Sequence, residues 1–193
     1  MKRILGINGS HDRKGDIQFL LETVLEACRE AGAETEIINA TDAVNSAKFP
    51  WCVCCSTPCN QSCYRGTMLE ATFQKMKQAD AIVIGSPVYF GSMTGQLKCL
   101  FDKTRALRAE KALVGKIGAA ITCGGSKYGG QETTMRAIHD VMFVEGMTIV
   151  GGGALAFDAG HHGVAARHPA RGDENAIERC HILAARLMEQ IRN

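Results

Sequence analysis

Residues 79–104 read ADAIVIGSPVYFGSMTGQLKCLFDKT and combine three local patterns. Residues 81–84 form a short apolar run, which predicts a strand that is buried on both faces. Residues 85–92 break every periodicity with two glycines, a proline and two adjacent aromatic residues. From Met93 onward the apolar residues return at helical spacing. A strand, an irregular loop and a helix in this order place a ligand beyond the carboxyl end of a parallel strand.

The irregular loop carries a signal of its own. Pro87 fixes its own φ angle and biases Ser86 toward an extended conformation, so the loop is stiff before any ligand arrives. Tyr89 and Phe90 are flat groups on this stiff loop. The loop therefore predicts a planar ligand.

Four more strands are predicted outward from this unit, at 3–8, 34–39, 116–122 and 147–150, and helical patterns separate them. Five strands alternating with helices predict an α/β three-layer fold with a parallel sheet. We expect the doubly wound, flavodoxin-like order 2-1-3-4-5, with ligand loops after strands one, three and four. The length of 193 residues predicts a single domain over residues 1–193.

The segment that follows the first strand, Gly9 to Asp16, is polar and rich in hydrogen-bond donors. A helical pattern follows it, and Asp16 stands where an N-cap residue is expected. Free backbone N–H groups and the helix dipole at such a position favour an anion. The segment lacks a P-loop lysine and a Gly-x-Gly-x-x-Gly fingerprint, so it predicts a monophosphate rather than a triphosphate or a dinucleotide.

Five of the nine cysteines fall within twelve residues, in an irregular segment that we call the cysteine loop (residues 46–66). They are Cys52, Cys54, Cys55, Cys59 and Cys63. In a reducing compartment such a cluster predicts a metal site first. Thiolates on one short loop suit an iron-sulfur cluster, tetrahedral zinc, or redox-active thiols without a metal.

The charge and the N-terminal sequence narrow the possible partners and locations. A formal net charge of +2 does not favour nucleic acid or an anionic membrane surface. No apolar stretch approaches the roughly 20 residues that a bilayer span requires. The first eight residues do not read as a signal peptide, because their apolar part is short. We therefore expect a cytoplasmic protein.

The stretch GSPVYFGSMTGQLK, with the Gly-Ser pair near the N-terminus and GGQETT at residues 129–134, resembles the NADPH-dependent FMN reductase family of flavodoxin-like proteins. The cysteine loop makes the chain similar to the iron-sulfur flavoproteins within it. The resemblance implies that the FMN phosphate lies at Ser10, Arg13, Gly15, Asp16, Ile17 and Gln18. It implies that the flavin ring lies against Pro87, Val88, Tyr89, Phe90 and Gly91, opposite Ser126, Gly129, Gly130 and Gln131. The family commonly has Asn-Thr where this chain has Asp16 and Ile17. A carboxylate next to a phosphate is unfavourable unless it points away as a helix cap, and Ile17 offers only its backbone N–H.

The resemblance further implies a [4Fe-4S] cluster held by Cys52, Cys55, Cys59 and Cys63, with Cys54 as an alternative to Cys55. Zinc remains the other metal that four thiolates would hold. A flavin on the same subunit favours iron, because a one-electron centre beside a two-electron cofactor has a use, whereas zinc is redox-silent.

The predicted function is that of an electron-transfer oxidoreductase that exchanges electrons with a ferredoxin-like or other small redox carrier, or with a small oxidant. The resemblance implies a homodimer or homotetramer, and no residue is predicted to act as a catalytic acid or base. One alternative is an NAD(P)H-dependent FMN or quinone reductase whose cysteine loop holds zinc or no metal, and another is a sensor without turnover. His161, His162 and His168 fit a solvated loop or a subunit contact better than metal ligands or a proton source.

Overall fold

The computed structural model describes residues 2–192, without the side chain of Arg192. Its strands are β1 (Arg3–Asn8), β2 (Glu34–Asn39), β3 (Ala81–Pro87), β4 (Ile117–Gly124), β5 (Thr148–Ile149) and β6 (Val164–Arg167). Its helices are α1 (Asp16–Glu30), α2 (Ala40–Asn45), α3 (Met68–Gln78), α4 (Gly95–Asp102), α5 (Arg105–Ala109), α6 (Gln131–Val144) and α7 (Glu174–Arg192), with a 3-10 turn at Ala170–Gly172. Each of the five predicted strands is present, and β1 and β2 have the predicted bounds.

The strands form one parallel sheet in the order β2-β1-β3-β4-β5, which confirms the predicted order. At the centre of this sheet, Ile4 of β1 lies between Thr35 of β2 and Ala81 of β3. Because the strands run in the same direction, the carboxyl ends of β1, β3 and β4 meet at one edge of the sheet. The loops after these three strands therefore lie side by side.

The fifth position of the sheet is filled by two short segments. β5 pairs with the start of β4, where Thr148 lies beside Ile117. β6 pairs with the end of β4, where Val164 lies beside Ile121. Residues 150–163 leave the sheet between these two pairings. The sequence predicted β5 but placed β6 in a loop.

Helices cover both faces of the sheet and give it two apolar cores. One core joins the sheet to α1 and α7, with Leu21 and Leu187 fully buried. The other joins it to α2, α3, α4 and α6, with Met76 and Leu97 fully buried. β3 serves both cores, and this explains its unbroken apolar run. None of the helices within residues 2–192 has both the length and the apolarity that a bilayer crossing requires.

Candidate functional site

Three loops meet at the carboxyl edge of the sheet: the first loop (residues 9–15), the second loop (residues 88–92) and the third loop (residues 125–130). The hydroxyl oxygen of Tyr89 lies 3.1 Å from Nδ1 of His11, so the first and second loops are hydrogen-bonded. A Cβ atom on Gly130 would lie 3.2 Å from Cα of Gly91, so the second and third loops approach closely there. The segments that the sequence assigned to one ligand site are thus in mutual contact.

The first loop is shaped by its own polar side chains. The buried Asn8 side chain accepts a hydrogen bond of 2.8 Å from the N–H of Ser10. Ser10 Oγ accepts one of 3.1 Å from the N–H of Asp12, whose Oδ1 accepts one of 2.8 Å from the N–H of Lys14. Asn39 donates to the Ser10 carbonyl oxygen at 2.9 Å. The loop therefore holds its conformation without a ligand.

Helix α1 begins directly behind the first loop. Its N-cap is Gly15, so Asp16, which was predicted to cap the helix, is instead its first helical residue. Within residues 2–192 no side chain caps this end, and the N–H groups of the first turn are free to donate. The positive end of the helix dipole adds to their attraction for an anion. This end of α1 suits a phosphate group.

The side chains predicted to surround a phosphate are mostly engaged elsewhere. Arg13 forms an ion pair with Asp42 on α2. Gln18 accepts a hydrogen bond of 2.9 Å from Asn8, and Ile17 is buried in the core. The protein therefore offers a phosphate chiefly its backbone N–H groups and the Ser10 hydroxyl.

The carboxylate of Asp16 is turned toward the chain segment that follows β6. It accepts hydrogen bonds from the N–H of Ala170 at 2.9 Å and from Nδ1 of His168 at 2.7 Å. Burial opposes the ionisation of Asp16, but these hydrogen bonds outweigh it and lower its pKa. Burial and the nearby Asp16 carboxylate raise the pKa of Cys123 to about 12, so that thiol is a neutral neighbour at 3.6 Å. The negative charge of Asp16 is thus satisfied by protein groups.

The second loop presents an aromatic ring on a tight turn. Tyr89 and Ser92 exchange two backbone hydrogen bonds, of 2.9 and 3.1 Å, around Phe90 and Gly91. Both central residues have positive φ, 50° and 74°, as in a type I′ turn. Positive φ is unusual for a bulky residue and concentrates at functional sites. The Phe90 side chain is fully exposed, as an aromatic surface for a planar ligand would be.

Gln131, which was predicted to contact the ligand, forms side-chain hydrogen bonds with the backbone of the third loop. Its buried side chain accepts a hydrogen bond of 2.8 Å from the N–H of Gly129. It donates to the carbonyl oxygens of Ser126 at 2.5 Å and of Ala166 at 3.3 Å. The backbone around Gly130, rather than the Gln131 amide, faces the second loop.

The cysteine loop lies between α2 and α3. Cys54 and Cys55 are exposed, whereas Cys52, Cys59 and Cys63 are partly buried. Among the residues that the structure describes, no group of three or more His, Cys, Asp or Glu side chains is placed to hold a metal ion. The four predicted ligands therefore do not converge in this conformation. Their chemistry, thiols alone, still fits an iron-sulfur cluster or zinc.

Two cationic side chains between the end of α4 and the start of α5 reach the cysteine loop. Nζ of Lys103 lies 3.5 Å from Sγ of Cys63. Arg105 donates to the carbonyl oxygen of Ser56 and to the hydroxyl oxygen of Thr57, both at 3.2 Å. These contacts fasten the cysteine loop to the junction between α4 and α5.

The histidines that precede α7 occupy two environments. The His168 ring donates to Asp16 and therefore lies beside the first turn of α1. The ring of His162 lies 6.5 Å from the ring of His139 on α6.

The sequence prediction did not include Asn8 and Lys103 among the site residues. A polar residue ending an apolar strand was an available signal for Asn8, whereas nothing local marks Lys103 as buried.

Comparisons with known proteins agree with this geometry. The model of the NADPH-dependent FMN reductase family matches residues 2–162. An iron-sulfur flavoprotein of Methanocaldococcus jannaschii is 34% identical over 98% of this chain and 97% of its own length. An iron-sulfur flavoprotein of Methanosarcina thermophila is 33% identical over 97% of this chain and 94% of its own length. A WrbA-like flavodoxin of Agrobacterium tumefaciens has a similar structure, with a TM-score of 0.71, 17% identity, and coverage of 100% of this chain and 98% of that one.

Proposed function

The chain belongs to the NADPH-dependent FMN reductase family, which makes it a flavin-dependent oxidoreductase, and we propose that it acts as an iron-sulfur flavoprotein. FMN would occupy the three loops and a [4Fe-4S] cluster the cysteine loop. When bound, FMN supplies two-electron chemistry and the cluster supplies one-electron transfer. The protein would then exchange electrons with a ferredoxin-like or other small redox carrier, or with a small oxidant.

The observation that carries the flavin part of the proposal is the contact of the three loops beside the uncapped end of α1. The N–H groups of the first turn, with the hydroxyl of Ser10, would bind the phosphate. Tyr89 and Phe90 would lie against one side of the flavin ring. Gly130 lets the third loop approach the second, since a Cβ atom there would crowd Gly91. In this arrangement the residues bind and orient the flavin and none acts as an acid or a base.

The proposed cluster ligands are Cys52, Cys55, Cys59 and Cys63, with Cys54 as the alternative to Cys55. The partly buried Cys63 already lies against the end of α4, and the other thiols are carried by the irregular part of the loop. Helix α4 begins just after the second loop and ends beside Cys63. Its eight residues span about 12 Å at 1.5 Å per residue, so the two proposed centres flank one short helix.

The test is a visible absorption spectrum with iron, sulfide and zinc analysis on anaerobically purified protein. We expect flavin bands, a broad iron-sulfur shoulder and about four irons per chain. Cys59→Ser should lose the iron and keep the flavin. Cys99→Ser, which changes a partly buried cysteine outside the cysteine loop, should keep both. A wild-type protein with flavin bands and zinc, or with no metal, would contradict the cluster.

The second candidate is an NAD(P)H-dependent FMN or quinone reductase, which the description of the matching family favours. In that case the cysteine loop holds zinc or no metal and the flavin alone turns over. A steady rate of hydride transfer from NADPH that Cys59→Ser leaves unchanged would support this candidate. A rate that falls with the iron content would exclude it.

We also propose that the protein is a homodimer or homotetramer. Trp51, next to the first proposed cluster ligand, and Tyr128, in the third loop, both expose large aromatic surfaces. Association would shield these surfaces and a cluster in the exposed cysteine loop. Sedimentation equilibrium of the FMN-loaded protein should give a multiple of 20.8 kDa. A monomer at micromolar concentration would contradict this expectation.

A further inference from the structure

Lys103 is a buried lysine with an unusual partner. The residue is only 2% exposed, and Sγ of Cys63 lies 3.5 Å from its ammonium nitrogen. Within residues 2–192 no carboxylate lies within ion-pair distance of that nitrogen. Lysine is almost never fully buried unless it is paired. The environment of Lys103 therefore calls for an anion at the position of Cys63.

A neutral thiol does not meet this need, because its sulfur is a weak hydrogen-bond acceptor. The thiolate does, and it is also the form in which cysteine binds metals. Cys99, the other cysteine near Lys103, is not the partner that the ammonium needs, since burial raises the pKa of its thiol and keeps it neutral. Cys63 in its metal-bound form remains as the counter-charge for Lys103.

Two further features make this side of the cysteine loop suitable for a negatively charged group. Arg105 donates to the carbonyl oxygen of Ser56 and to the hydroxyl oxygen of Thr57, both at 3.2 Å, which places a second cation beside the cysteine loop. Tyr64 is 2% exposed, and its hydroxyl has no hydrogen-bond partner within residues 2–192. A buried hydroxyl without an acceptor is costly and needs an explanation. Tyr64 directly follows Cys63 in the chain, so this buried polar group is next in sequence to a proposed ligand.

We propose that Lys103 is the buried counter-ion of a metal-bound Cys63 thiolate, and that its charge slows metal loss and raises the reduction potential of an iron-sulfur cluster in the cysteine loop. The cluster part rests on the proposed function. The counter-ion part applies to any thiolate-bound metal, because each thiolate brings a negative charge that the ammonium stabilises. Reduction of a cluster adds one electron and one negative charge, which a nearby cation stabilises further.

The variants follow from the geometry. Lys103→Met removes the charge and keeps an unbranched apolar side chain in the buried space. Lys103→Arg keeps the charge. Lys98→Met is the matched control, since it removes a lysine charge from α4, the helix that ends just before Lys103, at an exposed position paired with Asp102. Each variant is compared with the wild type as the purified, metal-loaded protein.

The first readout is the rate at which bound metal passes to a chelator, measured for iron or zinc as the wild type contains it. Lys103→Met should lose metal at least tenfold faster, while Lys103→Arg and Lys98→Met stay near the wild-type rate. The second readout is a potentiometric titration of the cluster with dithionite as reductant. At a fixed potential, the ratio of reduced to oxidised cluster should fall about tenfold in Lys103→Met, a shift of about 59 mV for one electron.

The outcomes separate the inference from the proposed function. A wild type that holds a cluster, with Lys103→Met unchanged in both readouts, would overturn the inference and leave the proposed function standing. A wild type that holds zinc, with faster loss from Lys103→Met, would support the counter-ion and contradict the cluster. A wild type that binds no metal would overturn both.

Discussion

Replacing Asp16 with alanine should destabilise the fold at its ligand edge. The carboxylate is the acceptor for the N–H of Ala170, a fully buried residue, and it pairs with the exposed side chain of His168. An unsatisfied buried N–H costs about 1–3 kcal/mol and an exposed ion pair contributes about 0–1 kcal/mol. The free energy of unfolding should therefore fall by about 1–4 kcal/mol in Asp16→Ala.

Urea unfolding of the FMN-free protein, followed by circular dichroism, measures this change. Asp16→Asn is the matched control, because its amide oxygen still accepts from Ala170 while the charge is gone. It should lose only the contribution of the ion pair. Folding lowers the pKa of Asp16. The Asp16 charge therefore contributes its full stabilisation above the ordinary carboxyl pKa of about 3.9. This stabilisation is lost as the pH falls through the lower pKa of the folded protein. The difference between wild type and Asp16→Asn should narrow below about pH 4.

The same variants test the orientation of the carboxylate. Because Asp16 is turned toward His168, Asp16→Asn should bind FMN with unchanged affinity. A large gain in FMN affinity would show that the carboxylate faces the phosphate. Wild-type stability in Asp16→Ala would refute the assignment of Asp16 as the acceptor for Ala170.

Three other changes probe the core and the site. Gly9→Ala would place Cβ 2.7 Å from a backbone oxygen at the end of β3, so the free energy of unfolding in urea should fall by about 1–3 kcal/mol. Gly95→Ala is the control: its Cβ would meet nothing within 4 Å, so the protein should keep its stability. Burial raises the pKa of Glu145, so ionisation of this carboxyl opposes folding. The wild type should therefore lose stability relative to Glu145→Gln as the pH rises from 4 to 7. A stability difference that does not change with pH would contradict this expectation. Phe90→Ser should leave stability unchanged, because the ring is exposed, and weaken FMN binding about two- to tenfold in a fluorescence titration.

The strands were predictable because their signal is local. Residues 3–8 and 34–39 form strands with the predicted bounds. The handedness of parallel crossovers then left few sheet orders, and the predicted one is correct. β6 was missed because four residues within a glycine- and histidine-rich stretch carry little pattern. They form a strand because the end of β4 offers them a pairing edge, which is a property of the tertiary structure.

The candidate site, like the sheet, has features that a local sequence pattern predicts and features that depend on the tertiary structure. The positions of the three loops followed from strand order, but the partners of their side chains did not. Asp16 and His168 are separated by 152 positions in the chain, and Lys103 and Cys63 by 40. No local pattern links such residues. Sequence reasoning therefore placed the candidate loops at one edge of the sheet, but it could not foresee that Arg13 pairs with Asp42 or that the Gln131 amide bonds the backbone of the third loop.

The hydrogen bonds of the Asp16 carboxylate depend on β6, the second of the two short strands that share the fifth position of the sheet. Pairing of Arg167 with Gly124 fixes the end of β6, and the N–H of His168 then donates to the Gly124 carbonyl oxygen at 2.8 Å. This register carries the His168 ring and the N–H of Ala170 to the first turn of α1. Without β6, the Asp16 carboxylate would keep only the weak Cys123 thiol donor and would lie uncompensated at the proposed phosphate end of the helix. An acidic residue is therefore compatible with the proposed anion site at this position, because a segment about 150 residues away donates hydrogen bonds to its carboxylate.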